Sequence, residues 1–128
     1  MQRAHGSFKV DIRPVTPALA EGLARYSIDK EFGGDLNGVS TGEMYSGGDP
    51  KLGAAGYVAM ELVTAKLGGR KGSFVLQHFA TMDERGPGMQ VVVTPGSGTG
   101  ELKGLTGTLT IRIENKQHLY DFDYTVPE

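Results

Sequence analysis

The stretch Tyr57-Val58-Ala59-Met60-Glu61-Leu62-Val63-Thr64-Ala65-Lys66-Leu67-Gly68-Gly69-Arg70-Lys71-Gly72-Ser73-Phe74-Val75-Leu76-Gln77-His78 decides the fold. Its residues alternate between two faces with period two on either side of a glycine pair, which is the pattern of two half-buried strands joined by a tight turn. With Gly69-Arg70 as a two-residue turn, Gly68 pairs with Lys71 and Leu67 with Gly72. Ala65 then faces Phe74, Val63 faces Leu76, and Glu61 lies directly across from His78. That face is small and apolar and suits an interior, so Glu61 and His78 are expected to point inward as a pair. The opposite face carries Thr64, Lys66, Ser73 and Gln77, mixed with Met60, Leu62, Val75 and Phe79.

The same alternation recurs outward from this hairpin. Phe8, Val10 and Ile12 share one face, as do Tyr26, Ile28, Lys30 and Phe32, and then Val39, Thr41, Glu43 and Tyr45. Further runs occupy 88–94 and the segment holding Leu105, Leu109, Ile111 and Ile113. The last sets Tyr120, Phe122, Tyr124 and Val126 against Leu119, Asp121, Asp123 and Thr125. Turn signals separate them at Gly33-Gly34-Asp35, Gly47-Gly48-Asp49-Pro50 and Gly86-Pro87-Gly88. The 20 glycines are about twice the usual share of roughly 7%, and glycine serves turns and barrel corners better than helices. Residues 14–24 fit either a short helix capped at Thr16-Pro17 or a loop across a barrel mouth. The expectation is one all-β domain over 1–128 built from eight antiparallel strands, with a closed barrel and a two-sheet sandwich both open on periodicity alone.

Composition excludes several functions. A net charge of −2 gives no basic excess for nucleic acid or an anionic membrane surface. With no cysteine, disulfides, thiolate catalysis and Cys-ligated metal sites are ruled out. No run approaches the roughly 20 apolar residues of a membrane helix, and no basic-then-apolar leader opens the chain, so a cytoplasmic protein is expected. His5, His78 and His118 show no metal-ligand spacing, and neither metal nor cofactor is implied.

The stretch Leu67–His78, followed by Pro95-Gly96-Ser97-Gly98-Thr99-Gly100-Glu101-Leu102-Lys103-Gly104-Leu105-Thr106-Gly107, resembles a bacterial family of uncharacterised proteins whose domain is named only as one of unknown function. Its Gly-Thr-Gly…Gly pattern is also similar to that of allene oxide cyclases and dirigent proteins, which share an eight-stranded calycin-like barrel. The resemblance covers roughly residues 24–126 and implies the single closed eight-stranded antiparallel β-barrel rather than the sandwich. It transfers no activity and no catalytic residue. The glycine-rich segment itself lacks the Gly-Lys-Ser/Thr opening of a phosphate-binding helix, so its glycines are read as a sharp bend between strands.

A second hairpin extends the candidate site. With Asp35-Leu36 at the turn, Phe32 faces Val39, Lys30 faces Thr41, Ile28 faces Glu43 and Tyr26 faces Tyr45. Lys30 and Glu43 are then diagonal neighbours on the apolar face, roughly 7–8 Å apart. Two acid–base pairs would point inward, joined by Tyr57, Tyr120 and Tyr124. Buried charges demand pairing, and a carboxylate beside an imidazole suits proton transfer without metal or nucleophile. Ser73 lies on the face opposite His78, so no Ser-His-Asp arrangement is suggested.

Three readings follow. The leading one is a binding barrel for a small apolar or amphipathic molecule, contacted by Lys30, Glu43, Tyr57, Glu61, His78, Tyr120 and Tyr124. The second is a cofactor-free cyclase or isomerase with Glu61 and His78 as base and acid. The third is an oligomeric structural protein with a filled barrel. Met60, Leu62, Val75 and Phe79 on the outer face predict a homo-oligomer, a dimer first.

Overall fold

Every alternating segment becomes a strand, and the strands join edge to edge in chain order. The computed structural model describes residues 1–127. Its elements are β1 (Gln2–Pro14), β2 (Leu23–Gly34), β3 (Leu36–Asp49), β4 (Ala54–Leu67), β5 (Arg70–Asp83), β6 (Gly86–Val93), β7 (Thr106–Glu114) and β8 (Gln117–Thr125). Two single 3₁₀ turns, Pro50–Leu52 and Gly100–Leu102, interrupt the connections. All neighbours are antiparallel, and β8 returns to β1 to close the barrel. Closure gives every strand a neighbour on both sides, most thinly between β6 and β7, so alternation partitions the residues into lumen and outer surface. Residues 15–22 form a loop, not a helix.

The two decisive hairpins differ from the sequence expectation in register. In the β4–β5 hairpin the turn is Gly68-Gly69, and Leu67 pairs with Arg70. Both glycines have positive φ, 56° and 86°, which a two-residue turn matching the strand twist requires at both centres and which Arg70 would resist. Glu61 therefore faces Leu76, and His78 faces Ala59. The slip is two residues, so every side chain keeps its expected face. In the β2–β3 hairpin only Asp35 lies between the strands, and the slip is one residue: Phe32 pairs with Gly38, Lys30 with Ser40, Ile28 with Gly42 and Tyr26 with Met44. A single-residue slip inverts a strand's faces. Leu36 is consequently not a turn residue but a fully buried one.

That tight corner is held from across the barrel. The Asp35 N–H donates to the His5 carbonyl at 3.0 Å, and the Asp35 carboxylate accepts from the His5 N–H at 2.9 Å. The Tyr120 hydroxyl accepts from the Leu36 N–H at 2.8 Å and lies 2.9 Å from the Gly33 carbonyl, to which it donates.

The two ends of the lumen are built differently. At one end Phe74 stacks on Phe122 with ring centroids 5.9 Å apart, and Phe32 meets Tyr120 edge-on at 5.8 Å. Leu36, Val63, Leu67 and Leu76 fill the remaining space there. The glycine-rich segment closes this end. After β6 stops, with Val92–Thr108 its single pairing to β7, the chain runs on beside β5: Thr94 N–H donates to the Val75 carbonyl and Thr99 N–H to that of Ser73, each at 2.8 Å. It then turns inward, and Leu102 and Leu105 are completely buried as a plug. The glycine-rich segment therefore forms a folded plug rather than a simple bend between strands. The opposite end, bounded by 15–22 and the 83–86 and 114–117 turns, is open: the inward Ile12 and Ile113 remain 48% and 67% exposed. Among the described residues no helix is long and apolar enough to cross a membrane.

Tyr120→Phe should remove the partner of the buried Leu36 N–H while conserving the ring. A loss of about 1–3 kcal/mol is expected, measured as a lower urea midpoint at unchanged slope.

Candidate functional site

Four consecutive strands each send one polar side chain into the lumen: Lys30 from β2, Ser40 from β3, Glu61 from β4 and His78 from β5. They are among the least exposed residues of the chain, at 7%, 4%, 1% and 6%. All of them converge on one carboxylate. Lys30 Nζ donates to Glu61 Oε1 at 2.9 Å, His78 Nε2 lies 2.6 Å from the same oxygen, and Ser40 Oγ donates to Oε2 at 2.6 Å. Diagonal placement explains the fit. Glu61 sits one inward position from Ala59, which is opposite His78, and one from Val63, which is opposite Ser40. The residue directly across from Glu61 on β3 is Gly42. A Cβ at Gly42 would overlap the Met60 carbonyl and Glu61 itself, so β3 and β4 approach this closely only with glycine there.

Burial pushes the Glu61 carboxyl up, but the His78 hydrogen bond, the Lys30 charge and the Ser40 hydrogen bond outweigh it and hold the group at about 2. Glu61 is therefore ionised at neutral pH. Against an ionised acceptor His78 Nε2 must carry its proton, which assigns the donor. The Lys30 ammonium is further stabilised by two ring faces, with Nζ 4.8 Å from the Phe8 centroid and 5.8 Å from that of Phe32. The cluster is thus compensated in charge and hydrogen bonding, and no buried side-chain nitrogen or oxygen among the described residues lacks a partner.

Of the residues expected at the site, Lys30, Glu61 and His78 meet in one network. Glu43 does not. The one-residue register difference turns it outward, where it pairs with Arg25 at 2.8 Å and its carboxyl is lowered by that hydrogen bond. The expected Lys30–Glu43 pair is replaced by Lys30–Glu61, and Ser40, not among the residues expected at the site, takes a place in the cluster. Alternation alone could not reveal Ser40, because polarity on an otherwise apolar strand says nothing until the register is known. Tyr57 stands next to the cluster, its ring 6.4 Å from that of His78. Burial, followed by the nearby Glu61 charge, raises the Tyr57 hydroxyl, keeping it protonated. Tyr120 and Tyr124 point inward but belong to the closed end: Tyr120 holds the β2–β3 corner, and Tyr124 packs on Phe122 at 5.3 Å. Neither joins the two pairs as anticipated.

Between the cluster and the open end lies a cavity of about 360 Å³. Tyr26, Met44, Tyr57, Ala80, Met82 and Met89 line it. The next inward residue below Ala80 on β5 is His78, and below Tyr57 on β4, past Ala59, is Glu61. The arrangement is an apolar vestibule whose lining ends one inward position above the charged, satisfied cluster.

A family model described as protein of unknown function (DUF3224) matches residues 4–124. A crystal structure of a protein with unknown function from the DUF3224 family of Shewanella oneidensis MR-1 is 45% identical, with a TM-score of 0.93 covering 100% of this chain and 98% of that one. No curated protein matches.

A carboxyl held at about 2 in the folded state, against roughly 4.3 when unfolded, contributes about 3 kcal/mol at neutral pH. Because the folded value is the lower one, this stability is present above the unfolded value and is lost as pH falls towards 2. Glu61→Gln should cost a similar amount at pH 7 by leaving Lys30 buried without its counter-charge. It should also flatten the acid limb of the denaturation profile between about pH 5 and 2. Thermal melts of both proteins across that range check this.

Proposed function

The chain belongs to the DUF3224 family, and we propose that it binds a small apolar or amphipathic molecule in the open half of its barrel. The observation that carries this reading is the vestibule of about 360 Å³ placed directly over the buried charge cluster. Its volume lies in the lower part of the range of about 300–1,000 Å³ typical of ligand pockets, and its lining is mostly apolar, as in such pockets, with the charged cluster one inward position deeper. Packing supports it further. Small inward residues, Ala55, Ala59 and Ala80, leave the mouth unfilled, whereas large rings occupy the closed end. A barrel that needed only a solid core would gain stability by filling both halves.

The alternative of a filled structural barrel draws its support from the closed half. The cyclase or isomerase reading needs its roles exchanged. A carboxylate accepting three hydrogen bonds at about 2 is a poor base at neutral pH, so Glu61 serves to hold its partners.

The outer surface supports self-association. Val39, Val58, Met60, Leu62 and Phe79 are 46–58% exposed on neighbouring strands β3, β4 and β5. Together they form an apolar strip on the order of several hundred Å², as large as the largest patch that monomers usually carry. A second copy meeting it strip to strip would satisfy the two-fold interface that most homodimers use.

Two measurements address these readings. Native mass spectrometry of freshly purified protein should show a stoichiometric small molecule that is absent from Ala80→Phe, a variant whose ring occupies the vestibule; an empty wild-type barrel would overturn the binding role. In sedimentation velocity, Met60→Lys should shift a dimer to monomer; a wild type that is monomeric at high concentration would sink the strip as an interface.

A further inference from the structure

One atom of the cluster is unlike the rest. His78 Nε2 is committed to Glu61, while Nδ1 has no hydrogen-bond partner among the described residues. Yet no buried side-chain nitrogen or oxygen there is left without one. Both statements hold only if Nδ1 meets accessible space. The direction of that space follows from the neighbours. Below His78, Leu76 and Val63 are fully buried, and Val91 directly across from it is nearly so. Above it, Ala80, Met89 opposite Ala80, and Tyr57 all line the vestibule. The cavity's lining stops at Ala80 and Tyr57, one inward position short of His78, so the open side left to Nδ1 is the one towards the mouth.

Its chemical character follows from the proton on Nε2. In the neutral ring, a hydrogen on Nε2 leaves a lone pair on Nδ1, so the vestibule's floor presents an acceptor. The Lys30 and Glu61 charges cancel, so the floor offers no net charge to draw in an anion. A cation finds no free carboxylate, since Glu61 is saturated. A neutral donor is what remains. The walls add a preference for a flat ring: two tyrosines, Tyr26 and Tyr57, and three of the chain's 5 methionines, Met44, Met82 and Met89, surround the space. Aromatic faces and polarisable thioethers both favour contact with rings.

Building on the binding role above, we infer that His78 Nδ1 is the acceptor through which the vestibule takes its ligand. Glu61 is its positioning residue, and the ligand class is a ring-bearing apolar molecule with one weakly acidic hydroxyl made so by conjugation, an enol or a phenol. Transfer along this hydrogen bond is balanced within the pair. The ligand O–H bond breaks as an N–H bond forms at Nδ1, and the electron pair stays on the ligand oxygen. The resulting imidazolium lies between that oxyanion and the Glu61 carboxylate, which stabilises it, as an orienting carboxylate does in other histidine-based sites. Return of the proton restores both partners, and no co-reactant is consumed.

The test uses two probes of nearly equal shape, 4-nitrophenol and nitrobenzene, with binding followed by calorimetry and the protonation of bound nitrophenol followed by its visible absorbance. Wild-type protein should bind nitrophenol about tenfold more tightly than nitrobenzene, with phenolate absorbance at a pH where the free probe is protonated. His78→Phe keeps a flat ring in place but has no hydrogen-bond acceptor. It should lose both the preference and the phenolate signal while binding nitrobenzene as before. Glu61→Gln should lose the phenolate signal, because the imidazolium then lacks its counter-charge. Equal affinity for both probes in wild type, or a preference that survives His78→Phe, would overturn the inference and leave the vestibule's binding role standing. Failure of both probes to bind wild-type protein would overturn the two together.

Discussion

A carboxylate buried to within one per cent of complete enclosure is the constraint around which the lumen is organised. Enclosure opposes its charge, and only donors placed with hydrogen-bond accuracy can reverse the balance. Glu61 obtains three, one from each of three other strands. Each donor restricts its own strand. Lys30 must approach across Phe8 and Phe32, Ser40 must sit on the inward side of β3, and His78 must be offset diagonally from Glu61 on β5. Gly42 is the counterpart of these demands, removing the side chain that would hold β3 away. A slip of one residue in any of the four strands would leave Glu61 without its counter-charge or without one of its hydrogen-bond donors in the interior. The cluster thereby couples register to stability across half the barrel, as buried polar groups do elsewhere when they specify one arrangement over its near neighbours.

The two halves of the lumen are packed to different degrees. At the closed end, aromatic stacking and the Leu102–Leu105 plug form a core that holds the barrel without help from the mouth. The plug depends on the glycine-rich connection, where an added Cβ at Gly98 would overlap the Leu102 carbonyl and one at Gly72 the Thr99 carbonyl. The Ser97 and Thr99 hydroxyls accept hydrogen bonds from the Val75 and Ser73 N–H groups of β5, replacing the sheet pairing that β6 gives up. Because this end is so fully satisfied, the mouth can stay open, and the charge cluster lies at the boundary between them.

The outer surface is similarly divided. Along the seam where β8 meets β1, Arg3 pairs with Asp123 at 2.6 Å, and Asp121 is shared by His5 at 2.8 Å and Arg112 at 2.9 Å. These exposed pairs contribute little stability individually, but they link β1, β7 and β8 into one charged, well-solvated face. On the other side, β3, β4 and β5 present the apolar strip. A vestibule lined by inward residues of the same strands lies directly behind that strip, so an interface there would also bear on the walls of the pocket.

The sequence by itself determined which residues could share a face, because period-two alternation follows from strand geometry and survives any pairing. It set Phe8, Phe32, Val63, Phe74, Phe122 and the triad Lys30, Glu61 and His78 inward, and the glycine content signalled the many reversals. For the β4–β5 hairpin even the wrong turn preserved this, since a two-residue slip changes neighbours but not faces. What only the tertiary structure decided was register. Whether Asp35 turns alone or with Leu36 depends on Tyr120 and His5, distant in sequence, which bond the corner in place. That choice of one residue exchanged Ser40 for Glu43 inside the lumen. Depth was equally illegible: alternation places Tyr57, Tyr120 and Tyr124 on one face but not at one end. Closure of the barrel sorted them, because position along the axis comes from the pairing of all eight strands and not from any one.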